Sequence, residues 1–599
     1  MKETSLGWPY VSFLEGLHPT QEQKVEVALL ASYSADIGSI GAALLALAGN
    51  DNDGGSGNAA EFADAVELLR GKVRIVIQRG RLAKSKKTPK IASILDQFVR
   101  EVARDEAFGS WHPKVALIRY RNSDATLSWR LWLGSRNLTE GENLELGLLL
   151  VSHEQSGTAI DGVHQLAIAI AEQAGLPKIA PLRLADEVSK VKWKSPLGIK
   201  VNRIHWMDGL GNAQLTKPES GTNHLVIVSP FVDKTFLDSQ RLENAENRCR
   251  VLVTTMQEIE RLGPSLSGFN ELRVLAAPEY PVSDAELDDD PEDATRPGEE
   301  EHVHFGLHAK LILAQNNTEN RMWIGSANAT SRAWAGRNVE VVAELAVSDD
   351  IARGMTTLMQ ISSLVELPKS VGIPDPTMLE KEKLEQARTQ VAAKWAATLS
   401  IQADFLTLTH SDHNHPGPHP TESDIHLQVA TLAGPLFTWS RGDKFINLGP
   451  AIKDELTEFV RLRVSRGDLG ITWIQRAPAI PPFELERDRQ ALARFLGMRG
   501  FLLWLMALLD NHDGDEADWK KGEGSGSVKG EPNEAIHFPA LEEILAAWTK
   551  DPKKFAEIDR RVKSFLPAIL AQSDQTNVTL IDELKRFSKL WKMIQEGLG

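Results

Sequence analysis

His112-Pro113-Lys114, Gly134-Ser135-Arg136-Asn137 and Asn143-Leu144-Glu145 follow one another in the first third of the chain. His308-Ala309-Lys310, Gly325-Ser326-Ala327-Asn328 and Asn338-Val339-Glu340 repeat them, in the same order, in the second. The spacing differs only between the pieces, as loops of unequal length would make it. The flanks repeat as well: Val25–Tyr33 runs into Ser-Tyr-Ser-Ala-Asp36, and Leu225–Phe231 runs into Val-Asp233. A second β-branched run follows each, Val73–Gln78 and Arg250–Thr254, with the composition of buried strands. Ile94, Leu95, Phe98, Val99 and Val102 fall at helical spacing and predict a helix there. Strands alternating with helices predict two α/β lobes, each with a central sheet, over residues 1–185 and 186–370.

The motif pieces have a shared chemical logic. Side chains two apart on a strand point the same way, and Lys114 and Lys310 each precede an apolar run, so each His and Lys should stand side by side at a strand start. Each Gly-Ser-x-Asn follows a strand, Arg130–Leu133 or Arg321–Ile324, where Gly permits a sharp change of direction. The Ser hydroxyl and Asn amide are then placed to donate to a phosphate oxygen. Cleaving a phosphodiester in line takes a nucleophile, an acid for the leaving oxygen and positive charge on the equatorial oxygens. Two histidines can supply the first two, since imidazole titrates near neutral pH. Two lysines and two asparagines can supply the third. A carboxylate behind each imidazole fixes its tautomer, and Glu145 and Glu340 are the candidates, with Glu344 a competitor to Glu340.

This twin motif resembles the phospholipase D superfamily over about the first 350 residues. The resemblance implies a pseudo-symmetric α/β pair with one active site at its interface, a covalent phosphohistidine, and no requirement for a metal or other cofactor. It implies His112 as nucleophile and His308 as acid. Lys114, Lys310, Asn137, Asn328, Ser135 and Ser326 would bind phosphate, and Glu145 and Glu340 would orient the histidines. The Asp that many members carry five residues after the Lys is replaced by Arg119 and Gln315. The tyrosyl-DNA phosphodiesterase branch also lacks that Asp, and the run at 325–336 is locally similar to it.

Charge distribution narrows the substrate. The net charge is −15, yet residues 70–130 hold 15 Lys/Arg against 5 Asp/Glu. Lys84, Lys86 and Lys87 lie in the connection leading to the first motif, placed to meet a phosphate backbone; a solvated surface is the plainer reading. Residues 284–301 hold 10 Asp/Glu and one Arg. They read as a disordered loop, or as a gate that occupies the basic site until substrate arrives. Trp111, Trp132, Trp323 and Trp334, in or beside the motifs, suit core packing better than base stacking.

The single cysteine, Cys249, excludes a disulfide framework and a cysteine-based zinc site and suits a reducing cytoplasm. His410, His413, His415 and His419 cluster in a Pro-containing loop, but their spacing is irregular for zinc. The N-terminus lacks a signal-peptide plan, and no apolar run approaches the ~20 residues of a membrane span. The last third, 371–599, should be a mixed, mainly helical C-terminal domain. Helix is expected over Leu379–Ser400, Phe483–Leu509 and Phe538–Leu590, strand over His426–Thr438 and Leu469–Gln475, and a loop over 515–533.

The combined expectation is a cytoplasmic, metal-independent phosphodiesterase acting on nucleic acid, DNA more than RNA, with no membrane partner. The resemblance extends to bacterial phage-defence proteins that work beside a helicase or other defence-system subunit. A phospholipase or phosphatidyltransferase is the alternative enzyme, and a nucleic-acid-binding subunit without catalysis is the alternative outside enzymology.

Overall fold

The computed structural model describes the chain except for residues 1, 4–7, 51–58, 85–91, 142, 214–220, 243–247, 278–305, 373–375, 412–416, 510–540, 551, 572–577 and 599. It forms two compact units. One comprises Met1–Gly55, Leu68–Pro450 and Thr457–Pro481; the other comprises Ser56–Glu67, Ala451–Leu456 and Pro482–Gly599.

The first unit holds two sheets with one plan. In the first lobe the order is Trp193–Lys194, Gly147–Ser152, Leu127–Gly134, Val115–Asn122, Gln23–Ser32, Val73–Gln78 and Val99–Val102. In the second it is Ile199–Asp208, Val339–Val347, Asn320–Gly325, Leu311–Gln315, His224–Val228, Cys249–Thr254, Glu271–Val274 and Ser363–Val365. In both, the strand ending in the Ser-x-x-x-Asp segment lies parallel to the next strand in sequence and antiparallel to the strand that follows His-x-Lys. One apolar core runs through both lobes, taking Leu29, Leu117, Leu131 and Leu150 from the first and Val226, Leu313, Val341 and Leu345 from the second, each at most 2% exposed. The two lobes therefore share an interior, and the pseudo-symmetric α/β architecture expected from the repeat is what the chain adopts.

The details correct the expectation in three places. The apolar run at 94–102 is a single helical turn, Ala92–Leu95, followed by the strand Val99–Val102, which pairs parallel with Val73–Gln78. Its apolar spacing fits either element, and the open edge beside Val73–Gln78 decided between them. The helix expected to reach Ser400 ends at Ala393, and Ala397–Gln402 is a strand. The change of sheet falls between Lys194 and Ile199 rather than near 185.

Residues 371–599 are divided between the units. Phe459–Arg466 and Leu469–Arg476 form a sheet with His426–Ala430 that continues onto Leu82–Ala83 of the first lobe. The second unit is helical: Leu485–Leu509, Leu541–Lys550, Pro552–Ala571 and Val578–Leu598. There Phe555 stacks on Trp591 at 5.4 Å, and Trp591 Nε1 donates to Asp559 at 3.0 Å. Among the described residues no helix is long and apolar enough to cross a membrane.

Candidate active site

The chain brings the two motif copies together by pairing segments across the lobe boundary. Asn143–Leu144 lies parallel to Gly306–Leu307, and Trp111 bridges Val339 in parallel. The backbone N–H of His112 donates to Val339 O at 3.0 Å, and that of His308 donates to Leu144 O at 3.1 Å. Each histidine is therefore registered against the strand that leads to the glutamate of the other copy.

The side chains follow that register. His112 Nδ1 lies 2.9 Å from Glu340 Oε2, and His308 Nδ1 lies 2.8 Å from Glu145 Oε1. A carboxylate only accepts, so Nδ1 of each imidazole carries the proton and, in the neutral ring, Nε2 carries the lone pair. The glutamates serve the histidines crosswise, each reaching into the opposite lobe. Glu344, the competitor, is taken up by His205 at 3.0 Å.

Ser135 and Ser326 take a place different from the expected phosphate contact. Each hydroxyl donates to the glutamate of its own copy, Glu145 or Glu340, and accepts from Leu146 N or Val341 N, both at 3.0 Å. Both serines are fully buried. The cause is the Gly before them. A Cβ on Gly134 would lie 2.3 Å from Leu146 O, and one on Gly325 would lie 2.2 Å from Val341 O. Only glycine lets the strands close so tightly that the next hydroxyl meets the glutamate.

Lys114 and Lys310 lie beneath the histidines, donating to His112 O at 3.1 Å and His308 O at 2.7 Å, and both are buried. Asn137 and Asn328 come from the turns after the Gly-Ser pairs; their carboxamide oxygens are buried and, among the described residues, have no hydrogen-bond partner. A half-turn exchanges oxygen for NH2, so either side chain can offer a donor to an anion.

Burial dominates the electrostatics. It pushes His112 and His308 down to about 4. Glu340 opposes this at His112 and Lys114 adds to it, whereas Lys310 adds to it at His308 and Glu145 opposes it. Burial also brings Lys310 to about 8, and burial with the Lys310 charge holds Lys114 well below the ordinary lysine range. Burial works against ionisation of Glu145 and Glu340, but the histidines, lysines and serines around them outweigh it and hold both below the usual carboxylate value. The resting site thus pairs two neutral imidazoles with two carboxylates. An entering anion adds to the attraction of Glu145 and Glu340 for the lysines and favours protonation of Lys114 and of one imidazole.

The other expected residues are placed as follows. Trp111, Trp132, Trp323 and Trp334 are all core, at most 8% exposed. Lys84 is half-buried, while Lys86, Lys87, the acidic stretch 284–301, the loop 515–533, His413 and His415 lie outside the described residues. His410 and His419 are buried next to Trp439, at 6.5 and 6.3 Å between rings. Among the described residues no His, Cys, Asp and Glu group is arranged to hold a metal ion. Arg119 is paired with Glu26 and Glu187, and Gln315 contacts His224 and Asn320.

Sequence reasoning passed over a second symmetric set. Ser32 and Ser229 accept from Leu138 N and Ala329 N, and Asp36 and Asp233 accept from Glu140 N and Ser331 N, tying each first strand to the turn that carries its Asn. The only signal for these was the repeated Ser-x-x-x-Asp spacing. An open groove of about 480 Å³ lies between Ala103–Gly109, Gly209–Gly211 and Arg337, with Phe108 79% exposed.

No family model and no curated protein matches the chain. Among solved structures, the fold is similar to a polyphosphate kinase from Porphyromonas gingivalis (12% identity, TM-score 0.32), covering 61% of this chain and about half, 49%, of that one. It is also similar to a phosphatidylserine synthase from Haemophilus influenzae (12%, TM-score 0.33; 63% and 92% of the two chains) and to a yeast tyrosyl-DNA phosphodiesterase (13%, TM-score 0.31; 58% and 89%).

Proposed function

We propose that the chain is a phosphodiesterase that works through a phosphohistidine and that its substrate is nucleic acid. The observation that carries this reading is the crossed pair of His–Glu contacts, which sets two equivalent imidazoles, each with a defined tautomer, above two buried lysines. In this mechanism His112 Nε2 attacks phosphorus in line, and the bond to the leaving oxygen breaks. His308, protonated once the anion is bound, gives that oxygen its Nε2 proton. His308 then takes a proton from water as the water attacks phosphorus and releases His112. Lys114, Lys310, Asn137 and Asn328 hold the equatorial oxygens. Glu145 and Glu340 stabilise the imidazolium forms.

The open groove lined by Phe108 suits a polymeric, base-bearing substrate. Phe108 stands four residues before His112, so its Cα lies within about 14 Å of that of His112. Arg104 and the exposed Arg337 line the same groove and suit flanking phosphates.

The test is cleavage of labelled single- and double-stranded DNA and RNA in excess EDTA, with wild type beside His112→Ala and His308→Ala. The reading requires cleavage that resists EDTA and falls by about 10²–10⁴-fold in both variants. Cleavage abolished by EDTA would overturn it. Inertness toward all four polymers, with headgroup release from phospholipid vesicles, would transfer the same site to lipid.

A further inference from the structure

The two halves of the site match in His, Lys, Ser, Asn and Glu, but not in what faces the imidazole. In the aligned segments Ser32-Tyr33-Ser34-Ala35-Asp36 and Ser229-Pro230-Phe231-Val232-Asp233, Tyr33 corresponds to Pro230. The Tyr33 ring lies 4.9 Å from that of His112, inclined at 57°, and Lys114 Nζ is 5.5 Å from its centroid. On its other side Arg81 stands 5.0 Å from the same centroid. The Tyr33 hydroxyl donates to Glu106 at 2.9 Å, Glu106 is paired with Arg81 at 2.6 Å, and Arg81 reaches Glu385 at 3.1 Å. Glu385 belongs to the helix Pro376–Ala393, which follows the two lobes in sequence.

We infer that Tyr33 is a positioning residue for the His112 half alone, and that the Glu106–Arg81–Glu385 network anchors it. This rests on the reading of the two histidines given above. An aromatic face beside an imidazole already held at Nδ1 restricts the remaining ring rotation and so fixes the direction of Nε2. The same face offers a buried ammonium favourable quadrupole contact, which helps keep Lys114 charged. His308 has a proline at the corresponding position, so the ring makes two chemically equivalent histidines unequal. It also gives the helix Pro376–Ala393 a role: its Glu385, itself paired with Arg388, gives Arg81 a second carboxylate partner beside Glu106.

The experiment reads both histidines without requiring turnover. Carbethoxylation of His112 and His308 is followed by mass spectrometry across pH in the full chain, for wild type, Tyr33→Phe, Tyr33→Leu and Glu385→Gln, with kcat and KM measured in parallel. Tyr33→Leu keeps apolar volume and removes the ring; it should change the rate and pH midpoint of His112 while leaving His308 as in wild type, and lower kcat by roughly tenfold or more. Tyr33→Phe keeps the ring but removes its hydrogen bond to Glu106, so it should move His112 in the same direction as Tyr33→Leu by a smaller factor. Glu385→Gln should move His112 in the same direction by about two- to threefold, as expected for a half-exposed partner. Equal changes at both histidines, or none at His112, would overturn the inference. An unchanged His112 in Glu385→Gln would remove the helix from it. Loss of phosphodiester turnover in wild type would instead count against the proposed function, and the modification pattern would still decide the role of Tyr33.

Discussion

The first lobe and the second lobe build the same half-site from the same residues, yet neither can finish it alone. Each supplies a histidine whose carboxylate partner comes from the other: His112 from Glu340, His308 from Glu145. The backbone explains why. Each histidine extends a strand that pairs across the boundary with the segment running into the opposite glutamate. A two-lobed fold of this kind resists separation, because cutting between the lobes removes the tautomer-fixing group from both imidazoles at once. What differs is the surroundings. The first lobe adds Tyr33 and its charge network, while the second puts Pro230 at that position.

The largest effects that test this comparison come from the glutamates. Glu340→Gln should lower kcat by about 10²-fold or more through His112, and Glu145→Gln by a similar factor through His308. If the braces served the histidines of their own lobes, carbethoxylation would show Glu340→Gln altering His308 instead.

The lysines give a pH limb. With Lys310 brought to about 8 by burial, its cation is present below that value and lost as pH rises through it. Affinity for sulfate, whose own charge is constant in this range, should therefore weaken as pH rises through about 8 when measured by calorimetry. Lys310→Ala should weaken binding at neutral pH and flatten this limb; a limb unchanged in that variant would assign it elsewhere.

Gly325→Ala and Gly134→Ala should each destabilise the fold by about 1–3 kcal/mol, because the new methyl meets a backbone carbonyl. Urea melts followed by fluorescence measure this, and a neutral result at both would mean the cross-strand closure is looser than described. The smallest effect belongs to Ser135→Ala and Ser326→Ala. A lost brace to a glutamate should lower kcat about tenfold or less with KM unchanged. A rise in KM would restore the serines to phosphate.

Much of this was legible in the chain. The β-branched runs and the twin motif announced the strands and the half-sites, because buried strands and repeated chemistry leave local marks. The crossing did not show, since the order His, Ser, Asn, Glu is the same whether a glutamate serves its own lobe or the other. The serine's partner was hidden because it depends on how closely Gly134 and Gly325 let two strands approach. Val99 and Val102 misled because their spacing suits a helix, and only the neighbouring strand makes them an edge. Tyr33 carried no motif at all; its meaning comes from Arg81, Glu106 and Glu385, distant in sequence.

The most direct test of the crossed site is to locate the phosphoryl group. Wild type, Glu145→Gln and Glu340→Gln are mixed with substrate, quenched in alkali and mapped by mass spectrometry. With a nitrophenyl phosphodiester, whose leaving oxygen departs without help from an acid, phosphate on His112 that accumulates in Glu145→Gln because His308 no longer activates water, and is absent in Glu340→Gln, is the predicted result. Phosphate on His112 that accumulates in Glu340→Gln, or none on either histidine in any of the three, would contradict it.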